Sequence, residues 1–259
     1  MKSVHRVLDP QAPPPIPRGL CALAVMTKAP RAGKVKTRLS PPLTPQEAAA
    51  LNICFLRDTS AAISAAATAG GARGIGVYTP VGEEAAYSGI LPPDFDLILQ
   101  RGEAFGERLI SATEDLLQVG FHSVCLIDSD SPTVPQHAYA AAVTFLAEGD
   151  ERVVLGPSND GGYYLIGMSR LNRKLFENIE WSTERVAEQT LAQAKQLGLE
   201  VKLLPTWYDV DDRTTLRRLC AELVGSTAPP SRGFEATHTR AFLTDVITRE
   251  GRERIWPNE

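Results

Sequence analysis

Short apolar runs ending in Gly-, Pro- or Asp-containing loops alternate along this chain with stretches whose apolar residues recur at helical spacing. Leu20–Thr27 (LCALAVMT) is a continuous apolar run, the pattern of a strand buried on both faces in a parallel sheet. Gly74–Thr79, Leu97–Gln100 and Ser123–Asp128 read as further strands, as do RVVLGP (152–157) and YYLIGM (163–168) on either side of Asn159–Gly162. Thr44, Pro45 and Glu47 make a helix start, with Thr44 as N-cap and Pro45 in the first helical position, and the Ala-rich stretch to about Ala69 continues it. Other helices are predicted over Phe105–Val119, from Pro135 to about Ala147, over about Thr183–Leu197 and Arg213–Leu223, and last over about Thr239–Arg249. This alternation predicts an α/β fold, a mostly parallel, doubly wound sheet with helices on both faces.

Residues 1–19 hold five prolines, so they are expected to form an extended arm outside any sheet ladder. The domain proper is expected over 20–225. Residues 226–259 read as a short Pro-containing linker followed by a helix that packs back on the domain.

Composition narrows the function classes. The chain is 43 % hydrophobic and 22 % charged, the balance of a soluble globular protein, and its net charge of -4 argues against a broad nucleic-acid footprint. No apolar run reaches membrane-spanning length and the N-terminus has no signal-peptide core, so a cytoplasmic protein with no membrane partner is expected. Cys21, Cys54, Cys125 and Cys220 form no CxxC pair, and the four histidines show no ligand spacing; the cysteines read as buried thiols.

The unusual motifs all follow predicted strands, where ligands collect in open parallel sheets. In TKAPRAGKVKTRL, five cations fall within the eleven residues Lys28–Arg38. Thr27, Lys28, Ala29, Pro30, Gly33, Lys34, Lys36 and Arg38 are the candidate nucleotide-binding residues: the cations suit a diphosphate, and the small residues let backbone N–H groups approach it. The spacing is not that of a Walker A loop, and a solvated basic loop is the alternative. Asp128 and Asp130 close a strand at i, i+2, a spacing that suits a hard divalent cation; capping or turn aspartates show the same pattern. In GPSNDGGYYLIG, Gly161 and Gly162 permit close backbone approach to a ligand beside Asp160, a candidate base, metal ligand or hydroxyl acceptor, and a tight hairpin turn is the alternative. In WYDVDD, Asp212 reads as a helix cap, and Asp209 and Asp211 as functional carboxylates or caps. QRGEAFGERL (100–109) reads equally as a ligand loop and a helix start. WSTERV (181–186) reads first as a cap at Ser182 or Thr183, with Trp181 as a possible acceptor platform.

With these motifs in this order, the chain resembles the DUF2064 family of glycosyltransferase-A-like proteins, also called radical-SAM- and selenodomain-associated or arsenosugar-type transferases and related in fold to 2-phospholactate guanylyltransferase. The resemblance covers about Leu20–Leu243. It implies the nucleotide-diphospho-sugar transferase fold, with Mg2+ or Mn2+ held by Asp128 and Asp130. Asp160 and Asp130 become the candidate catalytic carboxylates, and Gly161 and Gly162 line the ligand. The expected partners are a nucleotide-sugar or nucleotide and a small-molecule acceptor. Glycosyl transfer is the leading expectation, nucleotidyl transfer from a nucleoside triphosphate the second, and nucleotide binding without catalysis the third.

Overall fold

A computed structural model of the chain describes residues 5–12, 16–68, 70–149, 151–225 and 233–255. Among them the strands β1 (Cys21–Lys28), β2 (Ala72–Thr79), β3 (Asp96–Leu99), β4 (Ser123–Ile127), β5 (Arg152–Pro157), β6 (Tyr163–Met168) and β7 (Glu200–Leu203) form one sheet in the order β3-β2-β1-β4-β6-β5-β7. β1 pairs in parallel with β2 and β4, and β3 extends the same half. β6 runs antiparallel to both neighbours, β4 and β5, and β7 lies parallel to β5 at the far edge. The doubly wound α/β architecture is thus present, with β6 inserted against the grain.

The helices are α1 (Pro45–Ala67), α2 (Phe105–Gln118), α3 (Gln136–Ala147), α4 (Val186–Gln196), α5 (Arg213–Val224), α6 (Thr237–Glu250) and the single turn α7 (Arg252–Ile255). α1 opens as its sequence dictates: the Thr44 hydroxyl accepts the Glu47 N–H at 3.2 Å while the Glu47 carboxylate accepts the Thr44 N–H at 2.8 Å. One apolar layer packs α1 and α3 on the sheet through residues such as Leu56, Ile63, Tyr139 and Leu146. The opposite layer packs α2 and α4 through Leu109, Leu116 and Ala194. A third cluster, with Phe55, Leu216, Leu219 and Leu243, joins α1 to α5 and α6. The α6 N-terminus docks on α1, where Asp58 accepts the N–H groups of His238 and Thr239 at 3.1 and 2.8 Å. All four cysteines are buried and free.

The N-terminal segment departs from expectation. Leu8 N–H donates to the Leu97 carbonyl at 2.7 Å and Leu97 N–H to the Arg6 carbonyl at 2.8 Å, so Val7 bridges in parallel to the β3 edge. The prolines that argued against this begin at Pro10, which leaves the Val7–Leu8 stretch free to donate. The Pro13–Pro15 run and the 226–232 linker lie outside the described residues. No helix among the described residues is long and apolar enough to cross a membrane.

Candidate active site

β1, β4, the β5–β6 turn and the segment after β7 all deliver their loops to one end of the sheet. The loops are laced to one another by backbone hydrogen bonds. Val210 N–H donates to the Asp130 carbonyl at 2.9 Å, Asn159 N–H to Trp207 at 2.9 Å, and Trp207 N–H to Pro157 at 2.9 Å. The motifs around Asp130, Asp160 and Asp209–Asp211 therefore share one hydrogen-bonded frame.

The basic loop divides by role. Ala29 is buried, its N–H held by the Thr79 carbonyl at 2.8 Å, and Thr27 is buried on β1; with Pro30 these residues set the course of the loop. Gly33 turns it at φ +72°. Lys28, Lys34 and Arg38 are exposed and line a cavity of about 280 Å³ bounded by Asn52, Ser129 and Asp130. Lys36 does something different. Its side chain is 5 % exposed, and its ammonium lies 2.8 Å from Asp130 Oδ1, 2.8 Å from Asp211 Oδ1 and 2.7 Å from the Val210 carbonyl. Three acceptors match its three N–H donors. Burial alone would depress this ammonium, but Asp130 and Asp211 outweigh burial and hold it above its ordinary value. Lys36 itself has φ +48°, an uncommon conformation for a lysine and one that turns the chain into a short 3-10 segment, Thr37–Leu39.

The carboxylates form the second half of the site. Asp128, Asp130, Asp160, Asp209, Asp211 and Glu184 line a cavity of about 560 Å³, in which Arg38 is the one cation among the described lining residues. Ser131 Oγ donates to Asp128 Oδ2 at 2.8 Å, the Asp130 N–H to Asp128 Oδ1 at 3.3 Å, and Ser158 Oγ to Asp209 Oδ1 at 2.9 Å. Burial, then the charges of Asp130 and Asp209, raise the Asp128 carboxyl well above the usual carboxylate range; burial and Asp160 raise Asp209. Asp212 caps α5, accepting the Thr215 N–H at 2.8 Å, as its position before the helix predicts.

The strained and aromatic features lie on the far wall of this cavity. α4 begins at Val186 with no side-chain cap, so Ser182 and Thr183 are not its caps; Ser182 has φ +65° and both residues line the cavity. The helix starts late because the preceding segment docks on the β5–β6 turn: Ala187 N–H donates to the Gly161 carbonyl at 2.8 Å, and a Cβ on Gly161, whose φ is +87°, would collide with the Glu184 carbonyl. Gly161→Ala is accordingly expected to cost about 1–3 kcal/mol in stability from backbone strain and the forced separation of the two loops. A denaturant melt indistinguishable from wild type would contradict it. Trp181 stands edge-on to the half-exposed Phe105, with ring centroids 5.0 Å apart, at the mouth of the cavity. Glu107 closes the start of α2 by accepting the N–H groups of Glu103 and Ala104 at 3.1 and 3.2 Å, so QRGEAFGERL is both a helix start and, through Phe105, a wall of the site.

Among the described residues, no three His, Cys, Asp or Glu side chains close on one another tightly enough to hold a metal by themselves. The donor set still fits Mg2+ or Mn2+, which need only one or two carboxylates when substrate phosphates and water supply the other ligands. Asp128 is the clearest candidate, since it is a half-buried carboxylate whose neighbours Asp130 and Asp209 are of like charge, an arrangement a divalent cation relieves. One polar group escaped the reading of the sequence: Asn52 on α1 is 4 % exposed, lines the smaller cavity, and its Oδ1 has no hydrogen-bond partner. A single asparagine inside an apolar helical pattern carries no motif that would have singled it out.

The fold has a counterpart among solved structures. A candidate nucleotide-diphospho-sugar transferase of Desulfovibrio desulfuricans G20 is 27 % identical, with a TM-score of 0.73 over 89 % of this chain and 97 % of its own. The CMP:2-keto-3-deoxy-manno-octonic acid synthetase complexed with CTP is 11 % identical over 80 % of this chain and 100 % of its own, with a TM-score of 0.49. Rv0371c of Mycobacterium tuberculosis H37Rv, in complex with manganese, is 18 % identical over 78 % of this chain and 98 % of its own, with a TM-score of 0.45. No curated protein matches by sequence. Residues 62–183, from within α1 to just past Trp181, match the family model described as an uncharacterized protein conserved in bacteria (DUF2064), and the chain bears the family resemblance its motifs imply, on a nucleotide-diphospho-sugar transferase fold.

Proposed function

We propose that the protein is a metal-dependent glycosyltransferase that moves a sugar from a nucleoside diphosphate to a hydroxyl of a small neutral or cationic acceptor. The observation that carries this reading is the pairing of a cation-rimmed cavity with a carboxylate-lined one across shared residues, Arg38, Asp130 and Asp211. A diphosphate suits the first, beside Lys28, Lys34 and Arg38. Asp128 and Asp130, aided by Asp209, would hold Mg2+ or Mn2+ between the two, where a bound cation offsets the charge of the leaving diphosphate.

In this reading Lys36 is a positioning residue. Its ammonium fixes Asp130 Oδ1 and ties that carboxylate to the Val210–Asp211 segment. Asp160 is the candidate base. Its Oδ1 accepts the Gly162 N–H at 2.9 Å, which orients the carboxylate and leaves Oδ2 for an acceptor hydroxyl. The acceptor oxygen bonds to the anomeric carbon as the bond from that carbon to the diphosphate oxygen breaks; the diphosphate leaves with the electron pair and Asp160 takes the proton. Arg38, 76 % exposed and 3.5 Å from Asp211, is free to follow the developing charge.

The second reading, nucleotidyl transfer to a phosphate or phosphonate oxygen, requires an anionic acceptor among the six carboxylates of the larger cavity, and their repulsion disfavours it. The test is product analysis with manganese, nucleotide-sugars and nucleoside triphosphates, and neutral, cationic and anionic acceptors. Release of nucleoside diphosphate with a neutral or cationic acceptor is expected; pyrophosphate release from a triphosphate would replace this reading with the second. Asp160→Asn is expected to lower kcat by about 10²–10⁴-fold while leaving the affinity for manganese and nucleotide unchanged. Retention of full turnover would remove Asp160 from the mechanism.

A further inference from the structure

The smaller cavity holds a polar group for which the fold supplies no partner. Asn52 lies within α1, where asparagine is a poor helix former, between the fully buried Leu51 and a turn from the fully buried Phe55. A hydrocarbon side chain would suit that helix better. Instead the position carries an amide that is 4 % exposed and whose Oδ1 is desolvated without a partner. The same side chain lines the cavity edged by Lys28, Lys34 and Arg38. Phosphate oxygens carry no hydrogen to donate to an amide oxygen at neutral pH, and the exposed cations at the rim serve them better. Turning the amide through 180° exchanges its oxygen and nitrogen, so Asn52 offers a ligand one acceptor and one donor side by side.

We propose that Asn52 recognises the nucleoside part of the donor, pairing with a neutral group that both donates and accepts hydrogen bonds. This rests on the nucleotide-transferase reading above. Two parts of a nucleoside have that chemistry: the edge of a base, which an asparagine amide meets with a complementary donor and acceptor pair, and a ribose hydroxyl. Occupation satisfies the orphan amide only when the nucleoside is present, so Asn52 adds affinity for nucleotide over bare diphosphate.

The test is calorimetric binding of the four common nucleoside diphosphates and of inorganic pyrophosphate, each with manganese, to wild type and Asn52→Leu. Leucine removes the amide, keeps the size and favours the helix; Asn52→Ser serves as a second, smaller replacement should leucine disturb folding. The expected result is nucleoside diphosphate binding at least tenfold weaker in the variants, with pyrophosphate binding unchanged. A loss confined to one base assigns the contact to the base edge. An equal loss for all bases, reproduced in wild type by 2′-deoxy or 3′-deoxy nucleotides, assigns it to a ribose hydroxyl. Unchanged nucleotide affinity, or an equal loss for pyrophosphate, overturns the proposal while leaving the transferase reading intact. Absence of any nucleoside diphosphate binding by wild type overturns both.

Discussion

Lys36→Met is expected to lose both stability and turnover, and to do so without a matching loss of nucleotide affinity. Methionine retains most of the stem but removes the ammonium from between Asp130 and Asp211. Breaking a buried ion pair from one side costs about 3–5 kcal/mol because the partner charges stay behind. The lower end applies here, since Asp211 is 42 % and Asp130 31 % exposed and water screens them. For a domain of this size that corresponds to a fall in Tm of about 6–12 °C. Turnover should fall about 100-fold, because Asp130 loses the anchor that fixes its position and small misplacements of reacting groups carry costs of that order. Manganese should restore part of the lost Tm by replacing the missing positive charge beside Asp130. Lys36→Arg should recover little, because three acceptors gathered around a compact ammonium do not suit a planar guanidinium. Were Lys36 instead a phosphate ligand, as its place among the loop cations suggests, Lys36→Met would weaken nucleotide binding and leave the melting temperature nearly unchanged. Melts and nucleotide titrations on the same variant separate the two.

That contrast shows where the sequence was informative. The Leu20–Thr27 run and the Thr44–Glu47 cap are local signals, the first set by hydrophobic burial and the second by orphan N–H groups, and they appear as β1 and the start of α1. Strand order is not a local property: the 158–162 link is too short for a parallel crossover and turns β6 back on β5, but only the pairing shows that β6 lies between β5 and β4. Capping chemistry misled at WSTERV for a similar reason. Ser182 and Thr183 have the right composition for an N-cap, but the Gly161 turn claims the N–H of Ala187 and postpones the helix to Val186. The carboxylates and cations of the site were legible as types and as positions after strands. Which cation would be buried was not, because the neutralisation of Lys36 depends on Asp130 and Asp211, 94 and 175 residues away along the chain. Asn52 was invisible for the complementary reason: it differs from a core residue only in lacking a partner.

Asp128→Asn is expected to move stability and activity in opposite directions. Burial and the charges of Asp130 and Asp209 oppose ionisation of this carboxyl, so the metal-free fold bears a cost for placing it there. Asparagine keeps the shape and removes the charge. Its oxygen still accepts one of the two hydrogen bonds now given by Ser131 and the Asp130 N–H, and Ser131 Oγ can accept from the new amide. Tm should therefore equal or exceed that of wild type. Turnover should fall by about 10³-fold, equivalent to about 4 kcal/mol of lost transition-state stabilisation, because the amide binds a hard divalent cation far less well than a carboxylate. The rise in Tm produced by manganese and nucleotide together in wild type should shrink in parallel. A variant that keeps its turnover would remove Asp128 from the metal site. One that melts far below wild type would mean that the carboxylate is retained to order the Asp130–Ser131 turn, whereas a stable, inactive, manganese-blind variant is what a group kept for function against the interest of the fold should give.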